Sequence, residues 1–242
     1  MCIRDRYSLV PTNYTFKSST EPDNGVPHNT DQLGSTLIAI ESPLLASPKT
    51  VSVSYGPFNI TPKAMMPEVI LRNISKPCMG CSITAMRAFL SNSTSQLSLG
   101  PDTGIHLHHF IFFNDGLPDL VCPQFGERFF GGSNDQWTRR WGGDGEYGYK
   151  VDAGDEWSAV VEVMNDADWE GEVEVTVLFE VEGDKSMKDV RPIYLDASGC
   201  GDGGVEVKST TAPFEYEVPE WVSPIDGTLL DVSLLFMSQE IG

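Results

Sequence analysis

The residue types best suited to chemistry lie in Gly104-Ile105-His106-Leu107-His108-His109-Phe110-Ile111-Phe112-Phe113, which holds three of the four histidines of the chain. Neutral imidazole is a good ligand for copper, zinc, iron and nickel. His106, His108 and His109 are therefore the candidate metal ligands. The apolar residues around them predict a buried strand. On a regular strand, side chains alternate between faces. His106 and His108 are then expected to share a face with Phe110 and Phe112, and His109 to point the other way with Ile105, Leu107, Ile111 and Phe113. An i, i+2 pair can chelate one ion. The adjacent pair His108-His109 can do so only at a bulge or a strand end. The competing reading is three core histidines hydrogen-bonded to backbone or tyrosine. His28 lies in a polar, proline-rich segment and is not assigned to the site.

The elements that must position this strand are themselves strands. Short runs of β-branched and aromatic residues recur between Gly, Pro, Asn and Asp clusters from Val51 onward. The runs are 51–55, 68–72, 83–89, the histidine segment, 147–151, 157–164, 172–181, 190–195 and 228–236. In 172–181 valine alternates with polar residues, the pattern of a half-exposed antiparallel strand. No amphipathic helix is evident. The expected fold is all-β, an antiparallel jelly-roll β-sandwich with an extended N-terminal arm.

Residues 1–6 (Met1-Cys2-Ile3-Arg4-Asp5-Arg6) look like a translated sequencing adapter and are set aside. Residues 7–50 read as a flexible arm with one short strand at Leu37-Ile38-Ala39-Ile40. Residues 51–200 read as the sandwich, and 201–242 as a linker with the truncated start of further β structure. The stretch Asp115 to Gly145 reads as a long non-strand loop. Glu127-Arg128 within it reads as a buried ion pair, with the neighbouring aromatics capping the sandwich.

Composition narrows the function classes. The 242-residue chain carries 16 Lys and Arg against 35 Asp and Glu, a formal charge of −19. Such a surface repels phosphate backbones, so neither nucleic acid nor an anionic membrane is an expected partner. No apolar run reaches the length of a transmembrane helix.

Setting Cys2 aside leaves Cys78, Cys81, Cys122 and Cys200, for which three disulfide pairings are possible. Sequons occur at Asn13, Asn59, Asn73 and Asn92. Together they point to a secreted, disulfide-linked glycoprotein. A zinc knuckle or redox pair at Cys78-Met79-Gly80-Cys81 is the alternative. A zinc site normally needs a second close pair, and no helix follows to lower a thiol pKa.

Several segments together resemble a secreted, mostly fungal and plant, stress up-regulated nodulin-like family. They are Lys76-Pro77-Cys78-Met79-Gly80-Cys81-Ser82-Ile83-Thr84, Leu107 to Asn114, Val121-Cys122-Pro123 with Glu127-Arg128-Phe129-Phe130, Val161 to Asn165, Tyr194-Leu195-Asp196 and Gly199-Cys200-Gly201. A more distant resemblance joins that family to the copper type II ascorbate-dependent monooxygenases of the peptidylglycine hydroxylating and dopamine beta type. Those enzymes carry an adjacent His pair on a jelly-roll strand, which His108-His109 matches in type and context. The resemblance implies copper as cofactor; His106 lies outside its pattern, and Met164 reads as core packing. In the family a His-x-His segment is expected soon after the equivalent of Gly227 to Val232. This chain reads Ser233-Leu234-Leu235-Phe236 there, so it is expected to be a fragment.

Two further functions compete with a copper site. One is a non-catalytic extracellular binding module for a small molecule, peptide or glycan. Trp137, Trp141 and Trp169 would stack on sugars, and the acidic loops Gly143 to Glu146, Asp152 to Glu156 and Asn165 to Asp168 would hold calcium. The other is a structural stress-response surface protein without a ligand. A Gly-x-Ser-x-Gly elbow is lacking, whereas a carboxylate pair for glycoside hydrolysis stays open among so many acids.

Overall fold

Two sheets, antiparallel except for one short parallel pair at the edge of the larger, pack face to face, as the recurring short strands predict. The computed structural model describes residues 35–40, 49–133, 138–141, 146–183, 187–195, 199–200 and 220–232. The strands are β1 (Ser35–Ile40), β2 (Lys49–Ile60), β3 (Ala64–Met65), β4 (Val69–Leu71), β5 (Cys81–Asn92), β6 (Ser98–Leu99), β7 (Ile105–Pro118), β8 (Gly126–Gly132), β9 (Arg139–Arg140), β10 (Tyr147–Val151), β11 (Trp157–Asn165), β12 (Gly171–Glu182) and β13 (Lys188–Asp189). The larger sheet has the order β1-β2-β12-β5-β10-β13, with β6 and β9 also on β5. The smaller sheet, which carries the histidines, has the order β3-β11-β7-β8, with β4 also on β11. Among the described residues there is one short 3-10 turn, Pro101–Thr103, and no α-helix.

The core is the slab between the sheets. Phe112 of β7 sits at its centre, its ring against those of Tyr55, Phe110, Phe129, Trp157 and Phe179. The valines of β12 that alternate in sequence, Val173, Val175 and Val177, are all fully buried in this slab. Burying each such side chain contributes about 1.5–3 kcal/mol, which fixes which face of each strand looks inward.

Several expectations are corrected. The stretch from Asp115 to Gly145 is not one loop, because β7 runs on to Pro118 and β8 and β9 fall inside it. Its strand character was hidden because β8 buries charges where a strand normally buries aliphatics. Glu127 and Arg128 are both buried, but their ion-pair partners lie elsewhere. Arg128 Nε donates to Asp119 Oδ2 at 2.8 Å, and Glu127 Oε1 accepts from Arg191 Nη2 at 2.7 Å. Residues 190–195 are not a strand. They are held instead by side chains, Arg191 on Glu127 and the Tyr194 ring under the Arg128 guanidinium. Residues 228–232 form no strand, and 233–236 lie outside the described residues. The short strand expected in the arm is present as β1, paired with β2.

The two cysteine pairs are Cys78–Cys81 and Cys122–Cys200. The second joins positions 78 residues apart and ties Cys200 to the β7–β8 connection.

Candidate metal centre

Strand β7 starts at Gly104, whose φ of +73° suits glycine, and a Cβ there would meet the Ala167 backbone nitrogen at 3.2 Å. From this point β7 runs antiparallel to β11, Ile105 opposite Asn165, His106 opposite Met164 and Leu107 opposite Val163. The next pair is His109 opposite Glu162, with a register shift between Glu162 and Val163. His108 is thus an extra residue on β7, a β-bulge of the kind that re-aims side chains.

The bulge overturns the regular alternation expected for this strand. Ile105 and Leu107 face the core before it, and Phe110 and Phe112 face the core after it. Ile111 and Phe113 join Val160 in a separate apolar cluster on the outer face of the smaller sheet. His106 and His108 therefore do not share a face with Phe110 and Phe112, and His109 does not share one with Ile105 and Leu107. The adjacent rings of His108 and His109, with centroids 5.5 Å apart, meet the same carboxylate instead.

That carboxylate is Glu162. Its Oε2 lies 2.6 Å from His108 Nδ1 and 3.2 Å from His109 Nδ1. Glu68, just before β4, places Oε2 3.7 Å from His109 Nε2. Burial pushes the Glu162 carboxyl up, but the His108 hydrogen bond and the fields of His109 and His108 outweigh it and hold it below the usual carboxylate range. The His108 Nε2 atom is buried and has no hydrogen-bond partner. Donor atoms of His108, His109 and Glu162 lie within 4.8 Å of one another, close enough to converge on one ion.

Of the three histidines expected at the site, the fold brings His108 and His109 together. His106 is separate, one step along the same outer face, with Nε2 3.1 Å from Asp166 Oδ2. Glu162 is the residue that sequence reasoning missed. Its only signal is a carboxylate at an outward position of the run Val160-Val161-Glu162-Val163-Met164. Met164 is not core packing. Val161 and Val163 take the inward positions of β11, and Met164 is half-buried on the outer face.

Among the described residues, several of the calcium and glycan features are engaged elsewhere. The Lys76 ammonium donates to the carbonyls of Asp152, Ala153 and Asp155 at 2.8, 3.1 and 2.7 Å, so a cation of the chain itself sits in the Asp152–Glu156 loop. Asp166 and Asp168 pair with His106 and Lys63, and Glu146 pairs with Lys188. Trp141 packs against the core, Trp169 is 37% exposed, and Trp137 lies outside the described residues, as do 143–145.

Two curated fungal proteins resemble the chain. A Phoma protein named probable copper-dependent oxygenase M1 is 30% identical over 175 residues, covering 69% of this chain and 45% of its own length. The chain is a distant relative of copper-dependent oxygenases. A Cochliobolus lunatus protein named probable copper-dependent oxygenase clz3 is 30% identical over 124 residues, 49% of this chain and 40% of that protein. The chain thus spans less than half the length of these relatives. No protein-family model and no solved structure matches it. Among the described residues, no helix is long and apolar enough to cross a membrane.

Proposed function

We propose that this chain is a copper-binding β-sandwich of a secreted oxygenase, with His108, His109 and Glu162 as the residues that hold the metal. The observation that carries the reading is the bulge at His108, which turns two adjacent imidazoles towards one carboxylate and brings donor atoms of His108, His109 and Glu162 within 4.8 Å of one another. The names of the two relatives support copper in particular. Two histidines and a carboxylate suit several divalent ions, and cupric copper binds such sites most tightly of the first-row series.

When bound, copper supplies the one-electron and dioxygen chemistry. The protein contributes ligand orientation and solvent control. Glu162 holds the His108 ring by a hydrogen bond and lies 3.2 Å from His109 Nδ1, Glu68 adds a second negative charge beside His109, and the apolar cluster of Ile111, Phe113 and Val160 borders the site on the outer face. Two disulfides fit an oxidising compartment, and the sequon asparagines Asn59 and Asn73 are exposed, as attached glycans require.

The test is cupric titration of the whole chain, read by electron paramagnetic resonance. One equivalent with nitrogen hyperfine structure is expected. His108→Ala combined with His109→Ala should abolish that signal while the fold, read by circular dichroism, persists. A folded double variant with an unchanged cupric signal would remove these residues from the site.

A further inference from the structure

The outer face of the smaller sheet holds a second row of donor side chains, one step along from Glu162. Met164 of β11 lies directly opposite Met65 of β3 on one side and His106 of β7 on the other. The inward neighbours Met66, Val163, Ile105 and Leu107 are all in the core, so all three row members face outward. Met65 is 38% exposed, and Met164 and His106 are half-buried. Directly opposed residues in adjacent strands have Cβ atoms roughly 4.5–5.5 Å apart, within reach for two flexible thioethers and an imidazole to close on one ion.

The chemistry of this row differs from that of the first. Glu162 and the paired imidazoles offer oxygen and nitrogen, whereas Met65 and Met164 offer thioether sulfur, a soft donor that selects cuprous copper. Asp166, 3.1 Å from His106 Nε2, stands where a carboxylate orients a ligating imidazole and raises its basicity. A half-exposed methionine pair contributes little to packing, since the core beneath is filled by Met66 and Val163.

We propose that Met65, Met164 and His106 form a second metal site, for a soft monovalent d10 ion, cuprous copper in the cell. Glu162 and Met164 are two residues apart on one strand, so the two rows lie about 7 Å apart. The site does not depend on the reading of His108 and His109, and its test separates the two.

The probe is silver ion, a redox-inert stand-in for cuprous copper, titrated into the full chain with methionine methyl groups labelled for NMR. Met65→Leu and Met164→Leu, which conserve volume, assign the two resonances. Both are expected to shift together and saturate at one equivalent. His106→Ala should weaken that binding at least tenfold, and His108→Ala with His109→Ala should leave it in place. Met79, 76% exposed, is the internal control for a lone thioether. Equal response of Met79, unmoved Met65 and Met164 resonances, or unchanged affinity in His106→Ala would each overturn the proposal.

Discussion

His109 lies opposite Glu162 in the β7–β11 ladder, whereas His108, its neighbour in sequence, lies opposite nothing. One extra residue does two things there. It turns consecutive imidazoles towards a common carboxylate oxygen, and it shifts the inward face of β7 from Ile105 and Leu107 to Phe110 and Phe112.

Deleting His108 should therefore separate binding from folding. Without it, Leu107, His109 and Phe110 fall into simple alternation, with Leu107 and Phe110 still inward and His109 still outward. The deletion variant is expected to keep its β-sheet spectrum and a cooperative thermal transition but to lose cupric binding. Substituting Phe112 by alanine should do the reverse to stability, costing about 3–5 kcal/mol. If the deletion collapsed the fold as Phe112→Ala does, the bulge would be a folding requirement rather than a binding device.

Glu162→Gln tests the charge at the centre of the site. Glutamine keeps the length and one oxygen acceptor but removes the negative charge that His108 and His109 share. Cupric affinity is expected to fall about 10–100-fold, the usual effect of losing a residue that orients or charges a metal site. Titration against a competing chelator reads this directly. An unchanged dissociation constant would make Glu162 a packing residue.

Much of this arrangement was readable in the sequence, and the rest was hidden for physical reasons. Valine alternation announced β12 because one face of that strand is core and the other is not. The histidine run announced β7, and its spacing already required a bulge or a strand end if both His108 and His109 were to serve one ion. The position of that bulge depends on pairing with β11, which local sequence does not encode. Glu162 was invisible as a partner because 54 residues separate it from His108. Strand β8 was missed because Arg128 and Glu127 draw their counter-charges from Asp119 and Arg191, outside the strand.

Calcium is expected not to bind the Asp152–Glu156 loop. The carbonyl oxygens of Asp152, Ala153 and Asp155 already receive the Lys76 ammonium. A ligand that binds only the folded state raises the melting temperature, so an unchanged Tm at millimolar calcium is expected. Lys76→Met should cost about 1–3 kcal/mol, since hydrogen bonds to a charged group are lost together. A calcium-dependent rise in the Tm of the unaltered chain would show that the loops bind the ion after all.

The Asp119–Arg128 pair sets the acid limit of stability. Arg128 is fully buried and Asp119 nearly so. Burial pushes the Asp119 carboxyl up. The hydrogen bonds and charge of Arg128, with the backbone N–H groups of Cys122 and Val121, outweigh burial and hold it below its ordinary value of 3.8. A carboxyl whose pKa is lower in the folded than in the unfolded chain adds stability above the unfolded value. That stability is lost as pH falls through the folded value. Chemical denaturation of the unaltered chain should therefore show falling stability below about pH 4. In Asp119→Asn this slope should flatten, because the titrating group is gone. At neutral pH, Asp119→Ala should cost about 3–5 kcal/mol, since it removes the carboxylate paired with the buried guanidinium of Arg128. An acid limb of the same steepness in Asp119→Asn would assign it to other carboxylates, with Glu162 the next to examine.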